Sequence, residues 1–353
     1  MTRVDLSLPV VTALVLAMGL VTLSSAAPGG EFDRQLVFLG AGALLVGAVL
    51  WLGKRRLVRA TPYVYLLSIG LLVLVQVMGT EVNNAKSWLV IGPLPGFQPS
   101  ELAKIALIFA LASALHERPI RGIVDYLRVG ALAGPPVALV FLEPDFGSAL
   151  VIAMIAVGMV LVRGLPWRQL VVIVLAVVVA TPTVLLPNLA DYQRDRLLSF
   201  LNPEADAQGS GYQIIQATIA VGSGGLLGKG YKQGTQGQLG FIPEQHNDFI
   251  FPVLAEEGGF VASVALLILY GLLFWRLLAM AAECPFERDQ LIVVGVVVLI
   301  GFQVLVNIGE ALGLAPVTGI TLPLVSYGGT SLLSTLLGLS IAFTVHRDRY
   351  AEW

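Results

Sequence analysis

The chain is made of apolar runs long enough to cross a bilayer, and no other feature constrains its fold as strongly. A membrane helix needs about 20 predominantly apolar residues. Residues 8–27, 34–53, 61–79, 100–115, 127–143, 147–164, 168–187, 250–279, 290–312 and 322–345 meet or approach that length. Lipid offers no partner to backbone N–H and C=O groups, so each run must satisfy its own as a helix. The expected fold class is therefore all-α: a polytopic membrane protein with about ten transmembrane helices, a single domain over residues 1–353. Only 12% of the 353 residues are charged, about half of what a soluble surface carries. A net charge of −2 gives no basic footprint for nucleic acid.

Arg3, the run Leu8 to Leu23 and the small residues Ser24 to Ala27 resemble a signal peptide with its cleavage site. The run is long for a signal and further spans follow at once, so a first transmembrane helix is expected instead. The fourth and fifth runs are weakly hydrophobic; one holds Glu101 and Lys104, the other Gly134, Pro135 and Pro136. Both are expected to be buried against other helices. The only cysteine, Cys284, has no disulfide partner and reads as a spectator thiol.

Loop cations fix the expected orientation. With the N-terminus inside, fourteen Lys and Arg fall on the inner side against six outside, and Lys54, Arg55, Arg56 and Arg59 alone decide the matter. Both termini are then cytoplasmic, and residues 80–99 and 188–249 face outward. The second of these outer segments is 62 residues long, with ten glycines and ten charged residues. A connection of that length is unusual unless it is functional. Within it Tyr212 to Val221 has helical spacing. The cluster Gly222 to Gly230 looks friendly to phosphate, as a hinge or a lipid-phosphate contact, but fails the P-loop pattern. No convincing internal repeat is present, which weighs against an inverted-repeat transporter.

Ionisable residues in or beside spans are costly and mark function. Here they share a side. Glu101 and Lys104 lie three apart on one helix face. Glu143 and Asp145 flank Pro144, Asp248 precedes the run that starts at Phe249, and Glu256, Glu257 and Glu310 lie near the outer ends of their spans. Each has a structural alternative. Glu101 suits a helix N-terminus with Lys104 as its ion-pair partner, Asp248 suits an N-cap, Glu256 and Glu257 suit buried pairing, His246 a surface hydrogen bond and Trp88 an aromatic anchor.

The string Gly234-Thr235-Gln236-Gly237-Gln238-Leu239-Gly240-Phe241-Ile242-Pro243-Glu244-Gln245-His246-Asn247-Asp248-Phe249-Ile250-Phe251 closely resembles the SEDS family (shape, elongation, division and sporulation proteins), its elongation branch more than its division branch. Further matching motifs follow in order: Ala85 to Trp88, Gln98 to Lys104, Glu143 to Ala149, Gly211-Tyr212-Gln213 with Gln216, and Pro316 to Gly329. Asn247 and Lys86 depart from the common Thr and Arg. The resemblance covers nearly the whole chain. It implies a ten-helix peptidoglycan glycosyltransferase of the bacterial inner (cytoplasmic) membrane. Lipid II and the nascent glycan lipid are the implied substrates, and a class B penicillin-binding protein within the elongation machinery is the implied partner. The family's proposed essential aspartate falls on Asp248.

Joining a sugar C4 hydroxyl to an anomeric carbon held by pyrophosphate, α-linked before and β-linked after, needs one inverting displacement. A base and a stabiliser of the leaving group suffice, without a nucleophile. Asp248 is the expected base. Lys104, Arg194, Arg196, Lys229 and Lys232 are the expected cations for the pyrophosphate, with Glu101, Trp88, Asp145, Glu244 and His246 as supporting or binding residues. A divalent cation, Mg or Mn, is a further expectation that no ligand spacing proves. Two other readings compete: a lipid II flippase or transporter, which would place charge at the midplane and on both sides, and a non-catalytic scaffold for the penicillin-binding protein, which would leave Asp248 a mere N-cap.

Overall fold

A computed structural model describes residues 6–27, 29–82, 85–90, 96–117, 120, 122–164, 168, 169, 171, 198–205 and 209–351. The elements run α1 (Ser7–Ala26), α2 (Glu31–Met78), β1 (Thr80–Val82), β2 (Ala85–Trp88), α3 (Pro99–Glu117), α4 (Ile123–Leu142), α5 (Phe146–Gly164), α6 (Ser210–Ser223), α7 (Thr235–Gln238), α8 (Ile250–Glu283), α9 (Glu287–Ala311) and α10 (Gly329–Arg347). Eight of these helices are long and apolar enough to cross a membrane. The expected seventh span, 168–187, lies mostly outside the described residues.

At 48 residues, α2 is too long for one crossing. It breaks at Gly53, whose φ of 70° and ψ of 164° lie in a region open essentially to glycine alone. The break removes the bond from the Lys54 N–H to the Leu50 carbonyl. Both orphans find partners near the C-terminal end of α10: the Lys54 N–H donates to Asp348 Oδ2 at 3.1 Å, and Arg347 Nη2 donates to the Leu50 carbonyl at 3.0 Å. Gln35, near the start of α2, meets the other end of α10 through the Ser326 carbonyl and the Gly328 N–H. The first half of α2 therefore follows α10, and the second returns along α4, with Tyr65 donating to the Leu132 carbonyl and Gln76 to that of Leu139. Two predicted spans are present, but the predicted loop between them is a helical turn-back at Gly53.

The α8 helix is broken the same way at Gly259 (φ 67°, ψ −165°). An intact helix would bond the N–H groups of 260 and 261 to the carbonyls of 256 and 257. Instead the stretch 224–230 takes all four groups. Lys229 and Gly230 donate to Glu256 and Glu257, while Phe260 and Val261 donate to Gly225 and Leu226, at 2.9–3.1 Å. The backbones touch here: a Cβ on Gly228 would lie 2.1 Å from the Glu257 carbonyl, and one on Gly224 2.0 Å from that of Ala255. The glycine cluster is therefore a close-approach surface for a broken helix. Its N–H groups at 228–230 are spent on protein carbonyls, which corrects the phosphate-contact reading. Residues 260–283 remain as the crossing, about 36 Å of helix against a core of about 30 Å.

Burial sorts the spans. The α3, α9 and α10 helices form the centre, with 78%, 67% and 83% of their crossing windows buried. For α3 this meets the expectation set by its weak hydropathy. The expectation fails for α4, which is only 22% buried and exposes Val124, Leu127 and Leu142; it stands at the periphery, with Pro135 exposed and Pro136 buried. The tenth span also starts later than predicted. Residues 322–328 are apolar but irregular, and α10 begins at Gly329. The α1 helix is a packed span, with Leu8, Val15 and Leu23 buried. Its small residues contact the long loop: Ser24 Oγ bonds Tyr231 Oη at 2.8 Å, and Gln245 Nε2 donates to the Ala26 carbonyl at 3.0 Å. Cys284 is buried, which pushes its thiol up to about 12, the state of an inert cysteine.

Candidate active site

The bundle end that carries residues 198–205 and 209–249 is termed the loop end. There the sequence motifs form two half-sites. The first is the chain leading into α8. Residues 242–249 descend in tight turns, with Glu244 in the left-handed region (φ 51°) and Asn247 Nδ2 donating to Glu244 Oε2 at 2.7 Å. Three consecutive carbonyls are then clamped. That of His246 accepts the Tyr327 N–H at 2.8 Å, that of Asn247 accepts Ser326 Oγ at 2.6 Å, and that of Asp248 accepts Asn307 Nδ2 at 2.8 Å. Phe249 and Ile250, fully buried, anchor the chain immediately beyond. The Asp248 side chain is left half-buried at the mouth of the bundle.

The second half-site is the N-terminal turn of α3. Glu101 and Lys104 are almost fully buried and form an ion pair at 2.9 Å. The pair is under-satisfied. Lys104 carries three donors, yet its one hydrogen bond among the described residues goes to Glu101, and Glu101 Oε2 and the neighbouring Ser100 Oγ have none. Beside them lies the α4–α5 turn. Asp145 caps α5 through the Ser148 N–H at 3.0 Å and accepts Gln98 Nε2, from the foot of α3, at 2.8 Å. Glu143 is fully buried, with neither carboxyl oxygen hydrogen-bonded among the described residues. Burial, reinforced by the charge of Asp145, pushes its pKa up to about 8. Buried polar groups are rarely left unpaired, and these oxygens are open to a further donor.

The α9–α10 connection joins the halves. Asn307, which holds Asp248, also donates to the Ile320 carbonyl at 2.8 Å. Gly147 of α5 packs so tightly on Thr318 that a Cβ would lie 2.6 Å from its carbonyl. Glu310 accepts the Thr318 N–H at 2.9 Å.

The remaining expected residues are placed as follows. His246 lies 4.0 Å from Glu244, with its ring 5.8 Å from that of Tyr327. Trp88 sits on β2, its ring against Gly96. Lys229 does not point at a ligand space. Its ammonium is bound to Glu256 at 2.6 Å and to Thr235 at 2.8 Å, so it is engaged within the loop, a correction to its assignment to the pyrophosphate. Arg194 and Arg196 lie outside the described residues. Among the described residues no three His, Cys, Asp or Glu side chains converge as metal ligands. Sequence reasoning missed Asn307, Ser326 and Gln35. For Asn307 a signal existed, an amide inside the otherwise apolar run Val304 to Ile308.

The family pattern of FtsW, RodA and SpoVE, described as "Cell cycle protein", matches residues 5–351. The chain belongs to this family. Among its FtsW/RodA/SpoVE relatives, it is 38% identical over 321 residues to the peptidoglycan glycosyltransferase MrdB of Escherichia coli K12, covering 91% of this chain and 86% of that protein. It is 35% identical to stage V sporulation protein E of Bacillus subtilis, covering 100% and 99%. A solved chain from a peptidoglycan synthase complex, from work on the coordination of polymerization and crosslinking, superimposes with a TM-score of 0.88 at 47% identity, over the whole of both chains. The rod shape determining protein RodA of Thermus thermophilus superimposes with a TM-score of 0.77 at 42% identity, over 99% of each chain. The chain is thus a multi-pass helical membrane protein of the SEDS kind, as its motifs indicated.

Proposed function

We propose that this chain, a peptidoglycan glycosyltransferase, polymerises lipid II at its loop end with Asp248 as general base. One observation carries the reading: three successive carbonyls, 246 to 248, are clamped so that a half-buried carboxylate stands at the bundle mouth, joined through one loop to a buried, under-satisfied Glu101–Lys104 pair. A merely structural aspartate would not need the backbone on its own and both preceding residues fixed.

In the proposed step the C4 hydroxyl oxygen of one disaccharide attacks the anomeric carbon of the other. The bond from that carbon to the pyrophosphate oxygen breaks, and undecaprenyl pyrophosphate leaves with the electron pair. The hydroxyl proton passes to the Asp248 carboxylate as the new bond forms, help typically worth about 10² to 10⁴ in rate. Lys104 supplies positive charge to the departing pyrophosphate, held ready by Glu101 until the anion competes for it. Asp145 and Gln98 fix the turn beside that site.

The basic cluster Arg55, Arg56 and Arg59 gathers where α2 turns back at Gly53, opposite the loop end. This supports cytoplasmic termini and a site that faces outward from the bacterial inner membrane. The likeness to a chain from a peptidoglycan synthase complex supports partnership with a class B penicillin-binding protein of the elongation machinery. The test uses purified protein in liposomes loaded with labelled lipid II, scoring glycan strands on a gel and label crossing the bilayer. Glycan strands are expected; translocation without polymer would replace the reading by a flippase, and neither would leave a scaffold.

A further inference from the structure

We infer that Glu256 is a positioning residue for the reaction, the latch that sets where the Asp248 segment sits; the inference rests on the polymerase reading. Glu256 is fully buried, yet its carboxylate is crowded with donors. It accepts Lys229 Nζ at 2.6 Å, the Thr235 N–H at 2.9 Å, Thr235 Oγ1 at 3.1 Å, the Gln236 N–H at 3.0 Å, the Gly237 N–H at 3.3 Å and Ser223 Oγ at 3.4 Å. Its main-chain carbonyl accepts the Lys229 N–H. Only an ionised carboxylate, an acceptor on both oxygens, suits such a nest; a neutral amide would turn two of its own hydrogens toward the donors.

The topology gives this contact leverage. The chain leaves Lys229, carries Asp248 at its far side and returns through Ile250 to Glu256, so Glu256 closes the base of the loop it belongs to. Closing a loop limits the positions its apex can visit. The next residue adds a second strap. Glu257 Oε1 accepts Ser25 Oγ at 2.6 Å and Gln238 Nε2 at 3.4 Å, and Gln238 also reaches Ser25 Oγ at 2.9 Å. The root of the loop is thus tied to α1 and to the broken turn of α8, while Asn307, Ser326 and Tyr327 tie its apex. Glu256 need not touch substrate. Misplacing a reacting group by about 1 Å costs on the order of 10²-fold in rate.

The test first compares Glu256→Gln with the unaltered chain in the lipid II polymerisation assay. For the rescue, Glu256→Gln and a Glu256 parent both carry Cys284→Ser, Ser25→Cys and Gln238→Cys, joined by a short, reducible thiol crosslinker. The expected result is a kcat lower by about 100-fold, KM for lipid II unchanged within error, and an unchanged melting profile. Crosslinking positions 25 and 238 then restores at least a tenth of the lost rate, and cleaving the linker removes it again. Full activity of Glu256→Gln overturns the inference, as does a folded variant that crosslinking fails to rescue. If Glu256→Gln does not fold, Lys229→Met, which keeps the three main-chain bonds, is scored in its place by the same rescue. No polymer from the unaltered chain would sink the polymerase reading and this inference with it.

Discussion

Asn307 Nδ2 donates to the main-chain carbonyl of Asp248 at 2.8 Å, from a helix remote in sequence. The same nitrogen holds the Ile320 carbonyl at 2.8 Å, so one amide fixes both the carboxylate-bearing segment and the loop that leads to the second half-site. Asn307→Leu fills the volume and removes both bonds. It is expected to destabilise the protein by about 1–3 kcal/mol for each carbonyl left unpaired and to slow polymerisation about 100-fold through displacement of Asp248. Melting temperature and initial polymerisation rate, measured on one preparation, check this. A normal rate would remove Asn307 from the site.

The Glu101–Lys104 pair separates stability from chemistry. Lys104→Met strands a buried carboxylate and is expected to cost about 3–5 kcal/mol. The double change Glu101→Leu with Lys104→Met removes both charges and is expected to recover most of that loss, because apolar replacements of buried pairs are often neutral. Activity is expected to stay absent in both. A stable, fully active double variant would show that the pair is structural only.

Glu143 makes stability depend on pH. Its pKa is raised from the ordinary 4.5 to about 8, by burial first and then by Asp145. Between those values the unfolded chain has lost the proton while the folded one keeps it, so the folded state binds more protons and stability falls as pH rises. The loss begins near pH 4.5 and levels off above about 8. Glu143→Gln is expected to flatten this decline, read from melting curves between pH 5 and 9. An equal slope in the variant would mean that Glu143 is ionised in the fold.

At the opposite end, Lys54 Nζ meets Asp289 Oδ2 at 2.8 Å with both side chains fully buried. Lys54→Met is expected to cost about 3–5 kcal/mol, and Lys54→Met with Asp289→Leu to regain most of it. Polymerisation per folded molecule is expected to be unchanged in both, since the pair lies across the bundle from the site. A selective loss of activity would couple the two ends.

How far these features were legible in the sequence depended on whether they were local. Apolar runs found the spans because lipid imposes one rule on every helix. The α2 turn-back was hidden because Lys54 to Arg59 read as a loop, whereas a glycine-only conformation at Gly53, satisfied by Arg347 and Asp348 far along the chain, lets the helix resume at once. Leu322 to Gly328 read as membrane because it is apolar. Its backbone and side-chain groups are instead spent on Gln35, His246 and Asn247, contacts that no periodicity encodes. Of the site, Asp248, Glu101 and Lys104 stood out as charges beside apolar runs. Asn307 and Ser326 act through the carbonyls they hold, and a carbonyl leaves no mark in a sequence. Lys229 drew attention as a loop cation, but its partner Glu256 lies 27 residues on, just before a helix break that only the fold shows.

The most direct measurement is polymerisation of purified lipid II by the unaltered chain and by Asp248→Asn, an isosteric change that leaves the clamped carbonyls and buried neighbours in place. Glycan strands are expected from the first and a rate lower by about 10² to 10⁴ from the second, with an unchanged melting temperature. Strand synthesis at the unaltered rate by Asp248→Asn would remove Asp248 as the base.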